Sequence, residues 1–172
     1  MTRKLQIDNN LGDDMADLES LIQLLQLHQW KLCTAESCTG GLLSAKLTEV
    51  SGSSQWFDRA YITYSNQAKH QMLSVPEDLI ARHGAVSEED AEAMAVGGVL
   101  NGAVDCCVSI TGIAGPTGGT KEKPVGTVCF GFYHRDKAPM TVSKYFPDEG
   151  RQAIREQSCR FAIYGLCAYL AD

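Results

Sequence analysis

A chain of 172 residues, 44% hydrophobic and 21% charged, has enough apolar side chain for one core without disulfide staples. Its formal charge of −6, with no cluster of Lys and Arg, excludes a surface built to follow a nucleic-acid backbone. The most apolar tract, Phe161 to Ala171, is too short to span a bilayer, so no membrane partner is expected.

Residues 1–13 are polar and aperiodic and read as a flexible arm, followed by a single domain over residues 14–172. Arg3 and Lys4 lead into a polar stretch, which is not a secretory signal. A first helix opens at about Asp14, with Met15, Leu18, Leu21, Ile22 and Leu25 on one stripe. Trp30 to Ala35 predicts a strand and Gly40 to Glu49 a helix. After the loop Ser51-Gly52-Ser53-Ser54 comes a strand near Arg59 to Tyr64, then a short helix capped by Asn66 and ending near Leu73. Ser87 caps the next helix, with Glu88, Glu89 and Asp90 in its first turn. Asp105 to Thr111 is apolar without clean alternation, as expected of a strand covered on both faces. It runs into the loop Gly112-Ile113-Ala114-Gly115-Pro116-Thr117-Gly118-Gly119. Val125 to Tyr133 and Met140 to Tyr145 pair across a polar turn. A last helix from about Glu149 turns Ile154, Phe161, Ala162, Leu166 and Tyr169 inward. Strands interspersed with helices predict an α/β fold with helices on both sides of the sheet, and the late strand pair makes that sheet mixed. The seven cysteines form no C-x-x-C; Cys106, Cys107 and Cys129 read as reduced core side chains, which predicts a cytoplasmic protein.

The chemistry concentrates in three places. In Ala35-Glu36-Ser37-Cys38-Thr39-Gly40-Gly41 a serine stands where a strand gives way to a helix, whose first N–H groups can cradle an oxyanion or phosphate. Ser37 is either a helix cap or a nucleophile, and Cys38 is its rival. None of the four histidines lies near a nucleophile signature, so Lys69 in Tyr64-Ser65-Asn66-Gln67-Ala68-Lys69 is the alternative base. A lysine working near neutral pH must lose about 3 pKa units, roughly 4 kcal/mol, and its place at a helix start supplies about 1 kcal/mol of that. Burial would supply the rest, with Tyr64 sharing the proton; by themselves these residues read equally as a solvated surface lysine and a strand-end aromatic. The loop after Thr111 lacks the Gly-Lys step of a Walker element and the spacing of a dinucleotide fingerprint. It still lies at a strand's carboxyl end, where open α/β sheets bind ligands. Arg151 opens the last helix and suits an anion, with Arg155 one turn on a weaker candidate. No spacing of His, Cys, Asp and Glu predicts a metal site, and no cofactor is expected.

AESCTGG (35–41), TYSNQAK (63–69), HGAVS (83–87), SITGIAGP (109–116) and KPVGTV (123–128) occur in one order along nearly the whole chain from residue 15. In these motifs the chain resembles the CinA C-terminal domain family, whose characterised members are nicotinamide-nucleotide amidases of the PncC type. The resemblance implies a three-layer α/β/α sandwich around a mixed, mainly parallel sheet, in the stand-alone form without the pyrophosphatase domain that many relatives carry. It implies hydrolysis of nicotinamide mononucleotide to nicotinic acid mononucleotide and ammonia, in pyridine-nucleotide salvage. The nucleophile falls on Ser37, the base on Lys69, and Tyr64 assists. Substrate binding then falls to Thr39, Gly40, Gly41, Thr111, Gly112, Gly115 and Arg151, with the oxyanion held around Thr39 to Gly41 or near Thr111 and Gly112. Family members are commonly homo-oligomers, and some stand-alone relatives have little amidase activity. Two other readings stay open: a nucleotide-binding module without catalysis, and a reactive or redox-sensing Cys38.

Overall fold

Alternation along the central strands decides which layer each side chain joins. In β1 (Leu32–Glu36), Leu32 packs into one core while Cys33 and Ala35 pack into another on the opposite face. In β3 (Cys106–Gly112), Cys106, Val108 and Ile110 follow Leu32, and Cys107 follows Cys33. A computed structural model describes residues 14–172; the expected arm over residues 1–13 lies outside them.

The five-stranded sheet has the order β2-β1-β3-β4-β5, with β2 spanning Phe57–Ile62, β4 Thr127–His134 and β5 Met140–Tyr145. β1 runs parallel to β2 and β3, and β4 runs antiparallel to β3 and β5. Four strands therefore share one direction, as a mixed sheet with a late hairpin requires. The helices α1 (Asp14–His28), α2 (Leu42–Thr48) and α6 (Arg151–Ala171) pack together over one face. The other face carries α3 (Asn66–Leu73), α4 (Glu77–His83) and α5 (Glu88–Gly102), with α5 lying against β1, β3 and β4. This is the expected three-layer α/β/α sandwich.

Two local expectations are corrected and one element is added. Ser65, not Asn66, caps α3: its Oγ accepts from the Ala68 N–H at 3.1 Å, and Asn66 is the first helical residue. β2 begins at Phe57 and stops at Ile62, two residues ahead of the predicted strand, because the Trp56 carbonyl already accepts from Leu32 N–H at 2.8 Å. As an exposed edge strand it has little burial pattern to reveal its ends. The short helix α4 was not anticipated, although Glu77 and Asp78 in its first turn, Arg82 and His83 in its last, and Gly84 at φ 82° after it are ordinary end signals.

α5 sits close on the sheet because glycine removes the side chain between them. A Cβ at Gly131 of β4 would lie 2.3 Å from the Ala91 carbonyl oxygen. Gly131→Ala should therefore cost roughly 1–3 kcal/mol by overpacking, read as a lower urea midpoint with an unchanged slope. The residue before Ala91 is Asp90, so this contact also fixes the position of that buried carboxyl.

Candidate active site

The carboxyl ends of β1 and β3 lie side by side, and the chain leaves both into the same space. Ser37 follows β1 directly, and its N–H donates to the Ile110 carbonyl at 2.9 Å, which ties the turn to β3. The turn is not capped by Ser37 or Thr39. The Glu36 side chain, fully buried, folds under the start of α2. It accepts from Gly41 N at 3.0 Å, Leu43 N at 3.2 Å, Ser44 N at 2.9 Å and Ser44 Oγ at 2.5 Å. A carboxylate at a helix start is well placed against the macrodipole and satisfies donors that would otherwise be orphaned. The expectation that the N–H groups at Gly40 and Gly41 face a ligand is thus corrected. Gly41 N serves Glu36, and Gly40 N donates to the Ser37 carbonyl at 3.1 Å. Among the described residues, the N–H groups of Cys38 and Thr39 and the Ser37 hydroxyl have no hydrogen-bond partner.

Arg155 holds this turn from α6, its Nε donating to Cys38 O at 3.2 Å and Nη2 to Thr39 O at 2.8 Å. With those carbonyls pinned, the N–H groups of the turn have a fixed direction. Arg155 therefore ties the turn after β1 to α6, a contact the sequence did not show.

Lys69 comes from the first turns of α3 and is 1% exposed, an environment that demands partners for a lysine. Its Nζ donates to Ala85 O at 2.9 Å, to Thr111 Oγ1 at 3.0 Å and to the Asp90 carboxylate, which is itself 0% exposed. Thr111 Oγ1 in turn donates to Ala85 O at 2.5 Å. The Asp90 carboxylate takes its ion pair from Lys69 and has the Thr111 hydroxyl within reach, while among the described residues its second oxygen Oδ1 is buried without a hydrogen bond. Burial pushes the Asp90 carboxyl up, and the Lys69 ammonium pulls it part of the way back. Sequence reasoning missed Asp90 because an acid in the first turn of a helix is explained by the dipole alone.

A cavity of about 270 Å³ joins these parts. Ser37 and Cys38 line it from β1, Tyr64, Asn66 and Lys69 from the α3 side, and Thr111, Gly112 and Gly115 from β3 and its loop. Arg151 closes it from α6, with Nη1 on Gly115 O and Nη2 on the Tyr64 hydroxyl, each at 2.7 Å. Of the expected site residues the fold brings together Ser37, Tyr64, Lys69, Thr111, Gly112, Gly115 and Arg151. It does not bring Thr39, Gly40 or Gly41 into the cavity wall; the Thr39 side chain is fully buried with Oγ1 unpartnered. Tyr64 is tied to Arg151 rather than to Lys69.

Cys38 is buried, and burial pushes its thiol up to about 12. The thiolate needed for attack or oxidation is therefore scarce at neutral pH. Native protein should resist iodoacetamide at Cys38 at pH 8. Cys38→Ala should keep its turnover, since the backbone N–H remains. Among the described residues no group of three His, Cys, Asp or Glu is placed to hold a metal ion, and no helix is long and apolar enough to cross a membrane.

An α/β sandwich with a serine, a buried lysine and glycine-rich backbone around one cavity at the strand ends defines a class of small-ligand site. Residues 15–170 match the CinA C-terminal domain, and the chain belongs to that family. It is 46% identical over 139 residues to nicotinamide-nucleotide amidohydrolase PncC of Enterobacter agglomerans, covering 81% of this chain and 84% of the relative. The protein of the same name from Escherichia coli K12 is 45% identical over 148 residues, covering 86% and 89%. The crystal structure of competence/damage inducible protein CihA from Agrobacterium tumefaciens superposes with a TM-score of 0.89 at 38% identity, covering 94% of this chain and 97% of that one.

Proposed function

We propose that this chain is a nicotinamide-nucleotide amidase, hydrolysing the carboxamide of nicotinamide mononucleotide to nicotinic acid mononucleotide and ammonia. The observation that carries the reading is the meeting, in one cavity, of a buried Lys69 with a Ser37 hydroxyl that has no hydrogen-bond partner among the described residues. The names of the PncC relatives, over most of both chains, supply the substrate.

In this mechanism Lys69, in its amine form, takes the Ser37 proton as Oγ attacks the carboxamide carbon. The N–H group of Cys38, on the cavity wall beside the nucleophile, holds the tetrahedral oxyanion. Lys69 returns the proton to the leaving nitrogen, ammonia departs, and water hydrolyses the Ser37 ester by the same transfers in reverse. Arg151 has five N–H donors and gives two to Gly115 and Tyr64, so the others remain for the substrate phosphate. Tyr64, an exposed ring at the mouth beside Arg151, forms a wall for the nucleotide rather than a relay to Lys69. A cavity near the lower end of the ~300–1,000 Å³ range of small-molecule sites suits a mononucleotide and not a polymer.

The test is ammonia release from nicotinamide mononucleotide by the purified protein with excess chelator present. Turnover that survives the chelator supports the reading. Tight mononucleotide binding with no ammonia released would instead make the chain a binding module.

A further inference from the structure

Resting on the Ser37–Lys69 reading, we infer that Asp90 is the proton partner of Lys69, accepting the ammonium proton so that the amine reaches Ser37 while the pair keeps its overall charge. The geometry gives the reason. As an ammonium, Lys69 has three N–H bonds and three acceptors around it, Ala85 O, Asp90 and Thr111 Oγ1, so no lone pair is left for Ser37. The amine becomes a base only when one of those protons leaves. Ala85 O cannot take it, and Thr111 Oγ1 already spends its own proton on Ala85 O. The Asp90 carboxylate is the remaining acceptor, in direct contact with Nζ.

The surroundings favour that transfer. Two opposite charges shut away from water repay their desolvation only when every lone pair is satisfied. Asp90 fails that condition, because Oδ1 is buried with no hydrogen-bond partner among the described residues. A neutral carboxylic acid tolerates this better than a carboxylate does. The other titratable or charged groups near the pair are Cys38 and Glu36 at the end of β1, Cys129 of β4, and Glu88 beside Asp90. Lys123 of the glycine-rich loop, Tyr64, and Arg151 of α6 complete the set. Each of four is already committed: Glu36 to the α2 start, Glu88 to Thr141 Oγ1 at 2.9 Å, Lys123 to His83 O and Val86 O, and Arg151 to Gly115 and Tyr64. The thiols of Cys38 and Cys129 are pushed up by burial and stay neutral.

The protons balance. The resting pair, ammonium and carboxylate, becomes amine and carboxylic acid by one transfer from Nζ to Oδ2. The amine then takes the Ser37 proton as the Oγ–carbon bond forms, and gives it to the departing nitrogen as the carbon–nitrogen bond breaks. Water repeats the cycle, its proton passing through Nζ to Oγ. Asp90 keeps its proton throughout and returns it to Nζ at the end. Asp90 thus acts through Lys69 and is a positioning residue.

The test compares wild type with Asp90→Asn and Asp90→Glu, following kcat/KM for nicotinamide mononucleotide and the Lys69 Nζ resonance by nitrogen NMR across neutral pH. In wild type the reactive and resting pairs hold the same number of protons, so kcat/KM should be level across that range. In Asp90→Asn the amine forms only by losing a proton to solvent. There kcat/KM should climb about tenfold per pH unit from a value of order 10²-fold below wild type, with KM little changed. The Nζ resonance should move over the same interval in Asp90→Asn and hold still in wild type. Asp90→Glu should restore the level profile at a lower rate. A uniform loss in Asp90→Asn with the wild-type profile, or an Nζ resonance that follows pH identically in both proteins, overturns the inference. If Asp90→Asn does not fold, a climbing profile in Asp90→Glu overturns it equally. Should wild type release no ammonia while the Nζ resonances still diverge, the proton partnership stands and the amidase reading falls.

Discussion

Ser37→Ala is expected to lower kcat by at least about 10⁴-fold and to leave the fold and mononucleotide binding in place. The size follows from losing the covalent route, because the remaining N–H donors and Lys69 have no nucleophile to serve. The selectivity follows from the surroundings of the side chain. The Ser37 hydroxyl carries no hydrogen bond among the described residues, and the turn is held by Glu36 and Arg155 and by the Ser37 N–H on Ile110. Unfolding free energy should change by less than about 0.5 kcal/mol. Calorimetric titration with nicotinamide mononucleotide should give a dissociation constant within a few-fold of wild type. A variant that keeps turning over would move the nucleophile away from Ser37.

Lys69→Met is the second large effect, and it acts on both rate and stability. Methionine fills a similar volume but supplies no proton acceptor, so kcat should fall by about 10²–10⁴-fold, the usual worth of a positioned acid–base group. It also strips the counter-charge from a fully buried carboxyl. Removing one partner of a buried pair costs about 3–5 kcal/mol when the other stays charged. Asp90 has a cheaper course, which is to keep its proton. Burial raises it above the ordinary 3.8 of the unfolded chain, and Lys69 is what draws it back. With Lys69 gone the rise is opposed only by the smaller pull of the Thr111 hydroxyl. Between 3.8 and the raised folded value, the folded variant holds a proton that the unfolded chain has released. Stability must then fall as pH rises through that window and be greatest on its acid side. Denaturation of wild type and Lys69→Met at pH 5 and at pH 8 checks the sign: the variant's deficit should be larger at pH 8.

How far the sequence carried the site depends on whether a feature is local or assembled. The strand–turn–helix around Ser37, the strand ending at Thr111 and the helix bearing Lys69 are each set by a few neighbouring residues, and all three were legible. The layer assignment was legible too, since strands between helices leave few ways to bury both sheet faces. What pairs with what was not. Glu36 reads as a lone acid at the end of a strand, and only the reversal at Gly40 and Gly41, with φ 57° and 100°, swings the start of α2 over its carboxylate. Asp90 meets Lys69 only because α5 lies close to the sheet over Gly131, a contact between residues far apart in the chain. The cap of α3 was misplaced by one residue because Ser65 and Asn66 are both good caps and propensity does not separate them. Tyr64 was assigned to Lys69 by proximity in sequence, whereas Arg151, 87 residues away, reaches its hydroxyl.

The most direct measurement is to quench the protein during turnover of nicotinamide mononucleotide and map covalent adducts by peptide mass spectrometry. A nicotinoyl mononucleotide ester on Ser37, formed in wild type and lost in Ser37→Ala, is the predicted result. An adduct on Cys38, or steady ammonia release with Ser37 unmodified under conditions that trap acyl esters, would contradict it.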